Sequence, residues 1–125
     1  MQEVAMERIG LGHAVPVLRV RDADAAARFY VDHLGFARDW EHRFAPELPL
    51  YLQVVRGDCT LHLSEHEGDG TPHAAVWIAV DDVHALHADL HARGVDATVD
   101  EDAPGGATLT VEDPDGNQLR FCRPA

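Results

Sequence analysis

HAVPVLRVRDADAAARFYVDHLGF, residues 13–36, decides the fold. Its opening residues alternate, as in a half-buried strand. Ala14, Pro16, Leu18 and Val20 fall on one face and His13, Val15, Val17 and Arg19 on the other. Pro16 marks an edge or a bulge, because a proline cannot donate to a strand ladder. Asp22 or Asp24 can cap the helix that follows. Ala26, Phe29, Tyr30 and Leu34 recur at helical spacing, and Gly35 is the stop. The same plan returns, degraded, as HAAVWIAVDDVHALHADLHARGV at residues 73–95. His13 answers His73, Val20 answers Val80 and Asp22 answers Asp82 at one constant offset, and Gly35 answers Gly94 with one residue lost. Such a repeat predicts two similar half-modules sharing one core.

Outward from this stretch, residues 1–12 show no period and read as an arm or a short extra turn. Three strands are expected after the first helix, at 36–44, 50–56 and 58–64, separated by turns at 44–49 and at Gly57-Asp58. In the third, Leu61 and Leu63 face one way and Thr60, His62 and Ser64 the other. Residues 65–72, EHEGDGTP, form a polar, glycine-rich linker. In the second module, Val76, Ile78 and Val80 form one strand face and His73, Ala75, Trp77 and Ala79 the other. Asp82 caps a helix carrying Val83, Leu86 and Leu90, and strands are expected at 95–100, 107–112 and 117–123. The turn Asp113-Pro114-Asp115-Gly116-Asn117 joins the last two. The prediction is therefore one α+β domain over 1–125, with βαβββ modules at 13–64 and 73–123. Each helix covers one face of a curved mixed sheet, and the faces left over form a cup.

Composition narrows the function. The formal charge is −12, from 22 acidic against 10 basic residues. Every base is an arginine, which removes lysine Schiff-base chemistry. Strong acidity argues against nucleic acid, whose binding needs a basic face, and is compatible with a cationic small molecule or with simple solubility. No apolar run is long enough to span a membrane, and none reads as a signal peptide. Two cysteines, Cys59 and Cys122, make no disulfide framework, so a reducing cytoplasm is the expected setting.

The Arg21-Asp22-Ala23-Asp24 helix start, Phe29-Tyr30, Leu34-Gly35-Phe36 and the ending Asp113-Pro114-Asp115-Gly116-Asn117-Gln118-Leu119-Arg120-Phe121 together resemble the vicinal oxygen chelate superfamily. That group includes glyoxalase I, fosfomycin-resistance proteins, extradiol dioxygenases and bleomycin-resistance proteins. Ala14-Val15-Pro16-Val17-Leu18 and Gly35-Phe36-Ala37-Arg38-Asp39-Trp40 look closest to the bleomycin-resistance branch. The resemblance implies a homodimer with clefts built from both chains. Enzymes of the superfamily hold a divalent metal in the cup, and their ligand positions fall here on Val15, His62, Ala75 and Arg120. Val15 and Ala75 carry no donor atom, and Arg120 brings a fixed positive charge that repels a cation. A catalytic metal needs about three protein ligands, so no cofactor is expected. A displaced site of His13, His62 and His73 is the alternative for a divalent metal.

The candidate ligand-binding residues are Trp40, Tyr51, His62, His73, Trp77 and Arg120. Trp77 and Tyr51 are expected to face the cup, whereas a bulge-prone second strand leaves the face of Trp40 open. For any one of these aromatics, core packing and ligand stacking are equally good readings. His84, His87 and His91 recur along one helix face and read as a solvated face rather than a metal site. Glu41, His42, Glu65 and His66 are acid–base candidates with no nucleophile or metal beside them. The expected function is non-catalytic capture of an antibiotic, conferring resistance by sequestration. The alternative is a metal-dependent glyoxalase-type lyase, isomerase or thiol transferase.

Overall fold

Asp22 and Asp82 start the two helices in the same way. Each lies in extended backbone, and its carboxylate accepts the N–H three residues on, Ala25 at 3.1 Å and Ala85 at 3.0 Å. This is N-capping, in which a side chain satisfies one of the helix's free N–H groups. Helix α1 spans Ala23–Asp32 and α2 spans Val83–Ala92. They also end alike. Gly35 and Gly94 take positive φ of 74° and 87°, and the next N–H, of Phe36 or Val95, returns to the carbonyl of Tyr30 or Leu90 at 2.9 Å. Glycine takes that backbone angle without steric cost. The structure, a computed structural model, describes residues 8–125. The expected arm at 1–12 lies largely outside the described residues.

The strands are β1 (Val17–Arg19), β2 (Ala37–His42), β3 (Tyr51–Arg56), β4 (Cys59–Ser64), β5 (Ala75–Ala79), β6 (Val99–Asp100), β7 (Thr108–Glu112) and β8 (Gln118–Cys122). Each module makes its own four-stranded mixed sheet, in the orders β1-β4-β3-β2 and β5-β8-β7-β6. The first pair in each sheet is parallel and the others antiparallel. The element order is thus βαβββ twice, an α+β fold. Alternation sorts the side chains. Leu52, Val54, Leu61 and Leu63 are buried with Ala23, Ala26, Ala27 and Tyr30 of α1. Leu109, Val111, Leu119 and Phe121 do the same in the second module, with Val83 and Leu90 of α2. All belong to one hydrophobic cluster that spans both modules. Tyr51, Gln53, Thr60 and His62, and likewise Ala75, Trp77, Ala79 and Arg120, lie on the opposite, helix-free faces.

Two joints tie the modules together. In the first, the buried Asp113 carboxylate accepts the Tyr30 hydroxyl at 2.8 Å, the Asn117 side-chain amide at 3.0 Å, and the backbone N–H groups of Asn117 and Asp115 at 2.8 and 2.9 Å. Burial, with Asp113 beside it, holds the Tyr30 hydroxyl far above the ordinary tyrosine range. Asn117 also donates to the Arg19 carbonyl at 3.1 Å, so the last turn of module two grips the first strand of module one. In the second joint, Arg56 reaches Asp89 of α2 at 3.0 Å and donates to the Leu34 carbonyl at 2.8 Å. Burial alone would raise the Asp89 carboxyl, but hydrogen bonds from Arg93 and Arg56 outweigh it and hold it low.

The structure corrects three expected boundaries. The first strand begins at Val17, not at His13. Pro16 has no N–H to donate, and the ladder opens with the His62 N–H on the Pro16 carbonyl at 3.0 Å. The strand expected at 95–100 pairs only at Val99–Asp100, because the Ala97 carbonyl lies 2.7 Å from the His87 ring instead of facing a neighbouring strand. His73 precedes β5 and sits in a turn at φ 61°. Among the described residues no helix is long and apolar enough to cross a membrane.

Candidate ligand-binding site

The outward face of the first sheet carries a connected group of side chains. β3 and β4 are antiparallel and pair Gln53 with His62, which brings Tyr51, Gln53 and His62 onto one patch. The register between β2 and β3 slips between Arg38 and Trp40, leaving Asp39 as the extra residue of a bulge. A bulge turns neighbouring residues to the same side. As a result Asp39 and Trp40 both reach this face, which answers the open question about Trp40. The Trp40 indole lies parallel to the Tyr51 ring (centroids 6.0 Å, 10° between planes) and edge-on to His62 (5.2 Å, 68°). Trp40 is 42% exposed although it is a large aromatic.

Hydrogen bonds run through the same patch. The Tyr51 hydroxyl is 2.6 Å from His62 Nδ1, His62 Nε2 is 2.8 Å from Gln53 Oε1, and Gln53 Nε2 donates to Asp39 at 2.7 Å. Burial lowers the pKa of His62, favouring the neutral ring, and burial together with the charge of Asp69 raises that of Tyr51. Gln53 and Asp39 were not singled out from the sequence. Strand alternation with Tyr51 was a usable signal for Gln53. For Asp39 no signal existed, since a bulge reverses the parity on which such a reading depends.

The outward face of the second sheet is built on Trp77, 56% exposed in the middle of β5. Its register partner on β8 is Arg120, which donates to Gln118 at 2.9 Å. Ala75 and Ala79 flank the indole and are exposed. Trp77 also borders a hollow of about 590 Å³ with His13, Ala14, Pro16 and Thr60.

The remaining candidates are dispersed. His73 lies over the Gly116 turn, so close that a Cβ on Gly116 would stand 2.2 Å from its ring nitrogen, and it borders a different hollow with Arg19, Glu67 and Asp115. His13 is exposed ahead of β1. His13, His62 and His73 are therefore not assembled into a metal site, and among the described residues no three His, Cys, Asp or Glu side chains are grouped to hold one. At the ligand positions of the superfamily, Val15, Ala75 and Arg120 offer no donor, and both nitrogens of His62 are engaged. These residues do not fit a resident divalent metal. Glu65 is structural: its carboxylate accepts the N–H groups of Ala23 and Leu50 at 2.7 and 2.9 Å. Glu41 is paired with Arg38, His42 lies edge-on to Phe44, and the His66 ring is 6.4 Å from that of Tyr51. On α2, His84 pairs with Glu101 at 3.3 Å, His87 is tied to Ala97 and His91 is exposed. Cys59 and Cys122 are free thiols, and burial raises the pKa of Cys59.

Comparison with known proteins agrees with this architecture. Among curated proteins none matches the chain. Among solved structures it is similar to the bleomycin-binding protein of the bleomycin producer Streptomyces verticillus, crystallised with copper(II)-bleomycin. That similarity is 35% identity over 94% of this chain and 99% of that one, with a TM-score of 0.73. It is also similar to an antibiotic-binding protein from Streptomyces sp. CB03234 (26% identity, 94% and 100% covered, TM-score 0.72). A bleomycin resistance determinant encoded on transposon Tn5 is similar as well (25% identity, 91% and 98% covered, TM-score 0.73). The family model described as glyoxalase superfamily protein matches residues 2–125. With the two βαβββ modules, the helix starts at Asp22 and Asp82 and the closing Asp113–Asn117 turn, these matches show that the chain belongs to the glyoxalase, or vicinal oxygen chelate, superfamily, in its bleomycin-resistance-like branch.

Proposed function

We propose that this protein binds a small-molecule antibiotic without transforming it, and confers resistance by sequestration. One observation carries the reading: each helix-free sheet face presents an exposed indole, Trp40 on the first and Trp77 on the second. Packing does not require either ring to face water. Exposed aromatics clustered with polar partners are the usual anchors of a binding cleft. The first face adds Tyr51, His62 and the Asp39 carboxylate, and the second adds the Arg120 guanidinium. A planar group held between the two indoles, with its cationic part near the Asp39 carboxylate, suits the two faces taken together. The non-catalytic part of the reading rests on the donor set, which lacks the ligands a metal-dependent lyase or isomerase needs.

The two faces belong to separate sheets of one chain. We propose that they are brought together by a second copy, the first sheet of one protomer meeting the second sheet of its partner around a two-fold axis. The supporting features are the exposed apolar positions Val15, Ala75 and Ala79 and the opposite charges of Asp39 and Arg120. A cytoplasmic, stoichiometric binder protects a cell only while its sites outnumber the drug. Titration calorimetry with bleomycin and with copper(II)-bleomycin tests the proposal. Saturable binding with unchanged antibiotic recovered afterwards supports it, and recovery of a modified antibiotic, or no heat of binding, overturns it.

A further inference from the structure

The connections among Tyr51, His62, Gln53 and Asp39 have only one consistent direction. A carboxylate is an acceptor, so at 2.7 Å from Asp39 the amide of Gln53 presents its NH₂ group. Turning the amide over would set two oxygens against each other. Gln53 Oε1 therefore faces His62 Nε2 at 2.8 Å as an acceptor, and Nε2 must carry the proton. A neutral imidazole has one N–H, which makes Nδ1 a lone pair. The Tyr51 hydroxyl, 2.6 Å from Nδ1, must then donate its only proton there. What Tyr51 offers to solvent is an oxygen that can only accept.

We infer that this directed chain, Tyr51 to His62 to Gln53 to Asp39, makes the first sheet face a selector for ligands that place an N–H or O–H donor beside a planar ring. The donor, an amide, amine or hydroxyl, meets the Tyr51 oxygen while the ring lies against the Trp40 indole, which runs parallel to Tyr51. His62 is a positioning residue: it touches no ligand and fixes which way the Tyr51 hydroxyl points. The lowered pKa of His62 and the raised pKa of Tyr51 keep both groups in the neutral forms that the chain requires. The inference rests on the antibiotic-binding reading and says which chemistry that site prefers.

Two measurements separate the chain from the function. Long-range ¹⁵N–¹H NMR of the ligand-free protein should show His62, assigned by its absence in His62→Gln, with the proton on Nε2. A proton on Nδ1 overturns the chain even if antibiotic binds. Calorimetry with bleomycin then compares Tyr51→Phe, His62→Leu and His62→Gln, each first shown to melt cooperatively. Glutamine keeps an acceptor for Tyr51 and a donor for Gln53, so His62→Gln should bind within about threefold of the parent. Tyr51→Phe and His62→Leu should each weaken binding roughly tenfold, the effect of one lost hydrogen bond. His62→Gln as weak as His62→Leu would overturn the positioning role. No binding by the parent overturns the antibiotic reading and the selectivity with it, while the NMR result still decides the direction of the chain.

Discussion

Trp77 and Glu41 both look outward, yet they should contribute very differently to binding. The indole is unpaired and surrounded by small residues, Ala75 and Ala79, so a ligand ring can cover it fully. Removing such an anchor typically costs about 2 kcal/mol or more. Glu41 is already paired with Arg38 at the surface, and exposed pairs are worth less than about 1 kcal/mol. Trp77→Ala should therefore weaken bleomycin binding far more than Glu41→Gln in calorimetry, while added salt slows association and leaves dissociation nearly unchanged. Equal affinity for Trp77→Ala and the parent would make Trp77 a packing residue. His62 gives a second test. Its folded-state pKa is lowered, so the unfolded chain takes up the proton first as pH falls through the ordinary histidine value of about 6.5. The parent should lose more melting temperature than His62→Gln between about pH 7.5 and pH 5, and the difference should vanish above neutrality. At this scale the sequence revealed Tyr51, His62, Trp77 and Arg120 as outward-facing residues and left the face of Trp40 open, which the bulge in β2 decides. It misplaced His73, whose left-handed backbone angle breaks the alternation that put it beside Trp77.

Helix starts and stops were the most legible elements, because a capping aspartate and a stopping glycine act within one turn of chain. The strands were legible where alternation continues to the end of the ladder. They were overestimated at His13–Pro16 and at residues 95–98, where hydrogen bonds over long range decide whether an extended segment is paired. The Asp113–Asn117 turn reads from sequence as a hairpin only. Its larger role, closing on Tyr30 and Arg19, depends on contacts 83 and 98 residues apart in the chain. Asp113→Ala would leave the buried Tyr30 hydroxyl and the Asn117 amide without their acceptor. We expect a loss of about 3 kcal/mol or more. Asp22→Ala removes only a solvent-facing cap and should cost about 1 kcal/mol. Urea denaturation of the two variants checks the order. Equal losses would mean that the turn is a local feature and not a clasp between modules.

At the scale of the whole molecule, each module makes its own sheet, one hydrophobic cluster spans both, and each helix-free face carries an exposed indole. The proposed cleft joins Trp40 of one protomer to Trp77 of its partner, so the account requires association. Sedimentation velocity at micromolar concentration should show a dimer, and a monomer alone would contradict the shared cleft. The most direct measurement mixes Trp40→Ala protein with Trp77→Ala protein, lets subunits exchange, and titrates with bleomycin. If each cleft joins the first sheet of one protomer to the second sheet of its partner, the mixed dimer holds one doubly damaged and one intact cleft. About a quarter of all clefts should then regain parental affinity, since about half the dimers are mixed. If subunit exchange is verified and no high-affinity sites return, the cleft lies within a single chain and the account is wrong.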